Sequence, residues 1–269
     1  MRHPHGGRHE LGQNFLHHRP TVDAVVRLVG ATDGPVLEIG AGDGALTRPL
    51  AALGRDVLAV ELDPHRADRL RARVPGATVL CADALRVPLD RPVVVGNIPF
   101  HLTTPLLRRL LHHGRWRHAV LLTQWEVARK RAGVGGRTLL TAQTDPWFEV
   151  ALRGRVPADA FRPRPSVDGG LLTVDRRDRP LVDPGERDGY QRFVGAVFTG
   201  AGRGLDQVLA GAARVPAPAA RRALSDAGVP ARALPRDLRP EQWAALWRAL
   251  RSPAGAPRRG PRRPRRSGA

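Results

Sequence analysis

Short apolar runs alternate with amphipathic stretches along the first two thirds of the chain. Five apolar runs have the length of buried strands. They lie at residues 36–40, 56–61, 78–82, 92–97 and 118–123. Five amphipathic stretches have the helical spacing of apolar positions, near 20–30, 45–53, 64–73, 104–112 and 124–132. This succession predicts an α/β fold, in which a mostly parallel sheet carries helices on both faces.

The pattern changes twice after residue 140. Two more apolar runs, near 147–153 and 169–175, have short connections, which favours an antiparallel pair at the sheet edge and seven strands in all. From about residue 185 only helical patterns remain, at 185–199, 203–213, 217–227 and 240–250. We therefore predict an α/β domain over 1–178 and a small all-α domain over 179–250.

The charge of the chain is strongly positive. Its 269 residues include 44 Lys and Arg against 25 Asp and Glu, a net charge of +19. Seven of the arginines lie in residues 251–269, which contain no acid and no branched apolar residue or aromatic, so this segment is predicted to be a disordered tail. The remaining 250 residues still carry +12, which favours a polyanionic partner.

The same composition excludes several classes of protein. A single cysteine, Cys81, rules out an intrachain disulfide framework and a cysteine-based zinc site. No apolar run approaches the roughly 20 residues of a membrane span, and the N-terminus lacks the apolar stretch of a signal peptide. The histidine pairs and the cluster His3, His5 and His9 suit no common metal site. We therefore expect a cytoplasmic protein without a metal and without a membrane partner.

A glycine-rich turn follows the first long strand. Gly40, Gly42 and Gly44 allow the backbone to turn sharply and to approach a ligand closely. With Glu38 before them they match the turn of S-adenosylmethionine-dependent methyltransferases, but a dinucleotide-binding turn also fits. In both classes an acid at the end of the next strand, here Glu61, accepts hydrogen bonds from ribose hydroxyls.

The end of the third strand favours the methyltransferase. Asp83 can accept a hydrogen bond from the adenine amino group of S-adenosylmethionine, and the backbone N–H of Ala84 can donate to a ring nitrogen. A strand-end aspartate that only caps the next segment is the alternative. The regular placement of Gly40, Glu61 and Asp83 at three successive strand ends makes a cofactor site the better interpretation.

The fourth strand ends in the sequence Asn97, Ile98, Pro99, Phe100. An exocyclic adenine amine is a poor nucleophile, because its lone pair is delocalised into the ring. Hydrogen bonds from the amine to the Asn97 side-chain oxygen and to a backbone carbonyl would turn the lone pair toward a methyl donor. Pro99 favours an extended Ile98 that presents its carbonyl, and Phe100 offers a face for an extruded base.

Together these motifs resemble the rRNA adenine N6-dimethyltransferase superfamily over about residues 9–175. The stretch from Gly12 to Leu16 and the stretch from Phe161 to Asp168 extend the match. The stretch from Gln124 to Thr138 and the Ile98/Phe100 form of the target motif favour its Erm branch of actinobacterial type. That branch methylates one adenine of 23S rRNA and confers macrolide–lincosamide–streptogramin B resistance.

The resemblance implies a Rossmann-like fold, S-adenosyl-L-methionine as cofactor, and a role for each matched residue. Asn14, Leu16 and Gly40 would hold the methionine end of the cofactor, Glu61 the ribose, and Asp83 with Ala84 the adenine. Gly42 of the same turn would also bind the cofactor. Asn97 would lie between cofactor and target amine, and Phe100 would stack on the base. The partner would be free or precursor 23S rRNA, bound by a monomer with no affinity for DNA, and the helical domain would bind RNA.

Three other functions remain open from the sequence. The nearest is methylation of 16S rRNA by the housekeeping branch of the same superfamily. A small-molecule methyltransferase conflicts with the basic body and with Asn97 to Phe100. A non-catalytic RNA-binding or regulatory protein on the same scaffold conflicts with the complete set of cofactor motifs. A cysteine nucleophile is not expected, because Cys81 ends a predicted buried strand.

Overall fold

The computed structural model describes residues 14–230 and 232–251. It contains these nine strands: β1 Phe15–Leu16, β2 Val36–Ile39, β3 Val57–Glu61, β4 Thr78–Cys81, β5 Val93–Asn97, β6 His118–Gln124, β7 Phe148–Val156, β8 Phe161–Arg162 and β9 Gly169–Arg176. The helices are α1 Arg19–Gly30, α2 Thr47–Ala51, α3 Pro64–Arg73, α4 Thr103–His112, α5 Trp125–Arg131, α6 Leu139–Thr144, α7 Arg187–Thr199, α8 Leu205–Ala213, α9 Ala217–Asp226 and α10 Pro240–Leu250. The predicted tail falls outside the described residues except for Arg251.

Seven strands form one sheet in the order β4-β3-β2-β5-β6-β9-β7. The five strands from β4 to β6 are parallel, whereas β9 pairs antiparallel with both β6 and β7. The prediction of a mostly parallel seven-stranded sheet with an antiparallel edge is confirmed. Chain order reverses between β2 and β5, and ligands of open α/β sheets bind at such a point, outside the carboxyl ends of the strands.

The central strands are buried on both faces. In β5, Val93 and Val95 belong to one apolar cluster together with Val25 and Val29 of α1. The intervening Val94 belongs to a second cluster that lies on the opposite face of the sheet. Alternate side chains of a strand point to opposite faces, so a strand covered on both sides must be apolar throughout. This explains the continuous apolar runs in the sequence.

The edge strand β4 differs from the prediction that residues 78–82 form a buried strand. It has only one buried residue, Val79, whereas Leu80 and Cys81 are exposed. Because β4 is the last strand of the sheet, it lacks the cover that the central strands have on both sides. The expectation that Cys81 is a packed, buried thiol is therefore wrong. The two-residue strands β1 and β8, which pair with each other, and helix α6 were not predicted from the pattern.

The helical region packs directly against the sheet domain. Tyr190 of α7 donates a hydrogen bond to the Ala142 carbonyl at 2.8 Å, and its ring meets Trp147 edge-on at 5.4 Å. Arg187 lies over the same Trp147 ring at 5.0 Å. Trp243 of α10 is fully buried and stacks on Phe198. The apolar core is thus continuous between the sheet and the helical region.

None of the helices within residues 14–230 and 232–251 combines the length and the apolar composition that a membrane span needs.

Glu38 is the most deeply buried acid among the described residues. Glu38 is the third residue of β2, its side chain is 1% exposed, and its Oε2 atom has no hydrogen-bond partner in the described part of the chain. Removal from water raises the pKa of Glu38 from 4.5 to about 8, and the nearby Glu61 carboxylate adds to the rise. Glu38 is therefore protonated at neutral pH.

This raised pKa predicts a pH dependence of stability. Between pH 4.5 and 8 the folded chain keeps the Glu38 proton while the unfolded chain releases it, so the free energy of unfolding falls as pH rises. Glu38→Gln removes this titration. From pH 5 to pH 8 we expect the variant to gain about 3 kcal/mol relative to the unmodified protein in denaturant unfolding. The exposed Glu126→Gln is the control, and equal pH dependence in all three proteins would contradict the prediction.

Candidate active site

A cleft of about 860 Å³, its solvent mouth included, opens at the carboxyl edge of β2, β3, β4 and β5. It lies at the point where chain order in the sheet reverses. All the residues predicted for the site line this cleft except Leu16. Those that do are Asn14, Gly40, Gly42, Glu61, Asp83, Ala84, Asn97, Ile98, Pro99 and Phe100.

The glycine turn forms the floor of the cleft. Gly40 and Gly42 have φ angles of 71° and 56°, which L side chains rarely adopt. A Cβ atom on Gly42 would lie 3.1 Å from the Phe15 ring, so the segment before α1 packs closely on the turn. The turn needs glycine for both its conformation and its close approach to the chain above it.

Glu61 ties this turn to the end of β3. It is 2% exposed, its Oε2 accepts a hydrogen bond from Gly42 N at 2.7 Å, and its Oε1 accepts one from Asp63 N at 2.9 Å. Each carboxylate oxygen has two lone pairs, so both oxygens can still accept from a ligand hydroxyl. The acid therefore braces the turn and also offers acceptors to the cleft.

The loop after β4 presents one acceptor and one donor. Asp83 Oδ1 accepts from Leu85 N at 2.8 Å, whereas no described residue accepts a hydrogen bond from Ala84 N. Arg109 of α4 fixes this loop, because it donates to the carbonyl of Ala84 at 3.0 Å and to the carbonyl of Val87. Arg109 was not predicted from the sequence, because only the fold brings α4 to this loop.

Asn97 is oriented by the N-terminal segment. Its Nδ2 donates a 2.7 Å hydrogen bond to the backbone carbonyl of Asn14, 83 residues away in sequence. Because the amide nitrogen is committed to this carbonyl, Oδ1 is the atom that remains for a ligand. No described residue donates to Oδ1, so Asn97 presents a free acceptor in the cleft.

The backbone after Asn97 supplies a second acceptor. Ile98 N donates to the Leu122 carbonyl at 2.9 Å, and the Pro99 carbonyl accepts from Leu102 N at 2.8 Å. Within the described ranges no group donates to the Ile98 carbonyl. The Pro99 carbonyl is thus used by the short helix that follows, whereas the Ile98 carbonyl has no donor among the described residues.

Phe100 begins a single 3₁₀ turn, Phe100–Leu102, and is half-buried in the cleft wall. The next residue, Thr103, is anchored to β6 by a 2.8 Å hydrogen bond between its hydroxyl and that of Thr123. This anchor holds the start of α4 and the turn before it, so the Phe100 ring is carried on a fixed support.

Strand β1 brings Asn14 to the cleft. Phe15 pairs with Arg162 and Leu16 with Phe161, which fastens the N-terminal segment to β8. Leu16 is 5% exposed and belongs to the core, and it lines only a smaller cavity that adjoins the cleft. Leu16 therefore packs the N-terminal segment onto the core and does not line the cleft in which the cofactor is predicted to bind.

Nine further residues line the cleft and were not predicted from the sequence: Phe15, Ile39, Val60, Leu62, Ala82, Leu85, His101, Leu102 and Leu106. All except Leu102 and Leu106 lie directly next to a predicted residue, so adjacency was the available signal for them. No group of three or more His, Cys, Asp or Glu side chains that could hold a metal occurs in the described ranges.

Comparison with known proteins gives the family. The sequence matches the model of the ribosomal RNA adenine dimethylase family over residues 5–251. It is 50% identical over 250 residues to the mycinamicin-resistance protein MyrB of Micromonospora griseorubida, covering 91% of this chain and 80% of that protein. It is also 50% identical over 207 residues to an rRNA adenine N-6-methyltransferase of Corynebacterium diphtheriae, covering 76% and 82% of the two chains.

A solved structure agrees in fold over nearly its whole length. The 23S rRNA methyltransferase ErmE superposes with a TM-score of 0.81 and 34% identity, covering 88% of this chain and 99% of that one. The family model, these identities and the fold confirm the resemblance carried by the sequence motifs, and the chain belongs to the ribosomal RNA adenine dimethylase family.

Proposed function

We propose that the protein transfers methyl groups from S-adenosyl-L-methionine to N6 of one adenine in 23S rRNA and thereby confers macrolide–lincosamide–streptogramin B resistance. The observation that carries this proposal is the pair of free acceptors at the end of β5, Asn97 Oδ1 and the Ile98 carbonyl. Similarity to the resistance protein MyrB and to the 23S rRNA methyltransferase ErmE supports the choice of 23S over 16S rRNA.

The polar groups of the cleft fit this cofactor. Glu61 would accept hydrogen bonds from the ribose hydroxyls. Asp83 would accept one from the adenine amino group, and the Ala84 N–H, which has no partner among the described residues, would donate one to a ring nitrogen. Gly40 and Gly42 leave room for the methionine end beside Asn14. When bound, the cofactor supplies an electrophilic sulfonium methyl group.

The target amine would donate its two hydrogens to Asn97 Oδ1 and to the Ile98 carbonyl. This directs the nitrogen lone pair away from the ring and toward the methyl donor, so the contribution of the protein is orientation and preorganised hydrogen bonding. Phe100 would stack on the extruded base and hold its plane. A strong general base is unnecessary, because a protonated N6-methyl product is acidic.

The remaining parts of the proposal concern the RNA. Free or precursor 23S rRNA is the substrate, and the protein acts as a monomer without affinity for DNA or membranes. The helical region 179–250 serves as an RNA-binding domain, and the tail adds sequence-independent attraction to phosphates.

The direct test is to map the methylated nucleotide. We expect labelled methyl to enter one adenine of purified 23S rRNA and a sensitive host expressing the chain to become macrolide-resistant. Methylation of 16S rRNA without resistance would support the housekeeping alternative instead. Absence of S-adenosylmethionine binding in calorimetry would support a non-catalytic RNA-binding protein.

Asn97→Ala should lower the rate of methyl transfer by about 100-fold or more, because one of the two acceptors for the amine is lost. Cofactor affinity, measured by calorimetry, should be partly kept. Gln207→Ala removes an exposed amide on α8 and serves as the control. Turnover of Asn97→Ala close to that of the control would contradict the proposed role.

Phe100→Ala should lower kcat/KM for the RNA by about 10- to 100-fold, the range expected when one base loses its stacking partner. Phe100→Tyr keeps the ring and should have a mild effect. The measurement is kcat/KM with 23S rRNA for both variants. Equal losses would show that the ring face is not used for stacking.

Truncation after Arg251 removes six of the seven tail arginines. Each phosphate contact contributes about 0.7–0.9 to the slope of log affinity against log salt concentration. We expect weaker RNA binding and a shallower slope in a titration at several salt concentrations. An unchanged slope would mean that the tail makes no phosphate contacts.

A further inference from the structure

Arg214 has an unusual backbone conformation. It follows the last turn of α8 with φ 56° and ψ 45°, and it is the one non-glycine residue with positive φ in the described part of the chain. L side chains are disfavoured in this left-handed region, and glycine is the usual residue just after a helix. Such an outlier is a reason to look for a function of the side chain.

The Arg214 side chain lines a groove between α7, the end of α8 and the end of α10. Arg192 and Arg248, both exposed like Arg214, line the same groove. No acid of the described residues lies within ion-pair distance of these three guanidinium groups. The groove therefore presents three guanidinium groups that have no ion-pair partner among the described residues. The basic tail sequence continues from Arg251, which also lines the groove.

Two acids also line the groove. Glu186 is already engaged, because Trp247 Nε1 donates to its Oε2 at 3.0 Å and Arg251 forms an ion pair with it. Burial lowers the pKa of Arg187, and the charge of the neighbouring Asp188 opposes this change. Asp188 therefore also interacts with an arginine that does not line the groove. With Arg251 included, four arginines face two acids, and the groove remains positive.

The groove lies far from the cleft. Arg187, the first residue of α7, donates to the carbonyl of Leu111 near the end of α4. Helix α4 begins at Thr103 beside the cleft and rises about 15 Å over its ten residues. Arginines at this distance cannot touch the target base, so any RNA they bind is another part of the same molecule.

We infer that the groove of Arg192, Arg214 and Arg248 is a second RNA site, which binds backbone phosphates of an rRNA segment remote from the methylated adenine. This inference rests on the proposed function. Guanidinium groups bind phosphate oxygens through two parallel hydrogen bonds, which suits a groove lined by several arginines. Trp247 also lines the groove, and a Cβ on Gly189 would lie 3.0 Å from its ring, so α7 and α10 pack closely there.

The test uses Arg214→Gly, since glycine is the residue that this backbone prefers. We expect a melting temperature that is unchanged or higher, together with about 3- to 10-fold weaker binding of full-length 23S rRNA. The slope of log affinity against log salt should become shallower by about 1. Combining Arg214→Gly with Arg192→Ala and Arg248→Ala should lower the slope by about 3.

Arg222→Ala is the matched control, because it removes an exposed arginine of the same helical region outside the groove. Equal salt slopes for Arg214→Gly and Arg222→Ala would overturn the inference. A lower melting temperature of Arg214→Gly would also overturn it, because the positive charge of Arg214 would then stabilise the C-terminal end of α8. Unchanged RNA affinity of the triple variant would assign the groove to an acidic protein instead.

The substrate length separates this inference from the proposed function. If the unmodified protein methylates neither full-length 23S rRNA nor a short hairpin with the target adenine, the proposed function fails. If it methylates both, the triple variant should show a larger increase in KM with the full-length RNA than with the hairpin. Equal increases in KM with the two substrates would place these arginines at the cleft and contradict a remote site.

Discussion

The hydrogen bond from Asn97 Nδ2 to the Asn14 carbonyl is the contact on which the site depends. It joins the end of the central strand β5 to the segment that crosses above the glycine turn. It also decides which atom of the amide faces the ligand, because a primary amide with its nitrogen committed can offer only its oxygen. Without it, the Asn97 amide could turn its nitrogen into the cleft, and in the proposed mechanism a donor there could not accept a hydrogen bond from the target amine.

The neighbouring groups make this arrangement rigid. The pairing of β1 with β8 holds the crossing segment, and Glu61 holds the turn beneath it through Gly42. Thr103 and Thr123 hold the support of Phe100. Since these hydrogen bonds form within the protein alone, the acceptors stand ready before a ligand arrives. Preorganisation of this kind lowers the cost of orienting a weak nucleophile.

The positive charge of the protein divides by location. The cleft is lined mainly by apolar and neutral groups with the acids Glu61 and Asp83, which suits a cofactor and a flipped base. Arginines without an ion-pair partner among the described residues collect instead in the groove between α7, α8 and α10. A large folded RNA can touch both places at once, so attraction and chemistry need not share a surface.

The sequence by itself determined where the parallel strands lie in the chain and which polar residues stand at their ends. Buried strands must be apolar throughout, and in this fold class the ligand lies outside the carboxyl ends of the strands. Glu61, Asp83 and Asn97 were identifiable for this reason, since each ends or follows an apolar run. Tertiary structure alone decided the orientation of the Asn97 amide, the bracing role of Arg109 and the exposure of Cys81. It also decided that Arg192, Arg214 and Arg248 share a groove. These features depend on contacts between residues far apart in the chain or on position at the sheet edge, and neither leaves a periodic signal in the sequence.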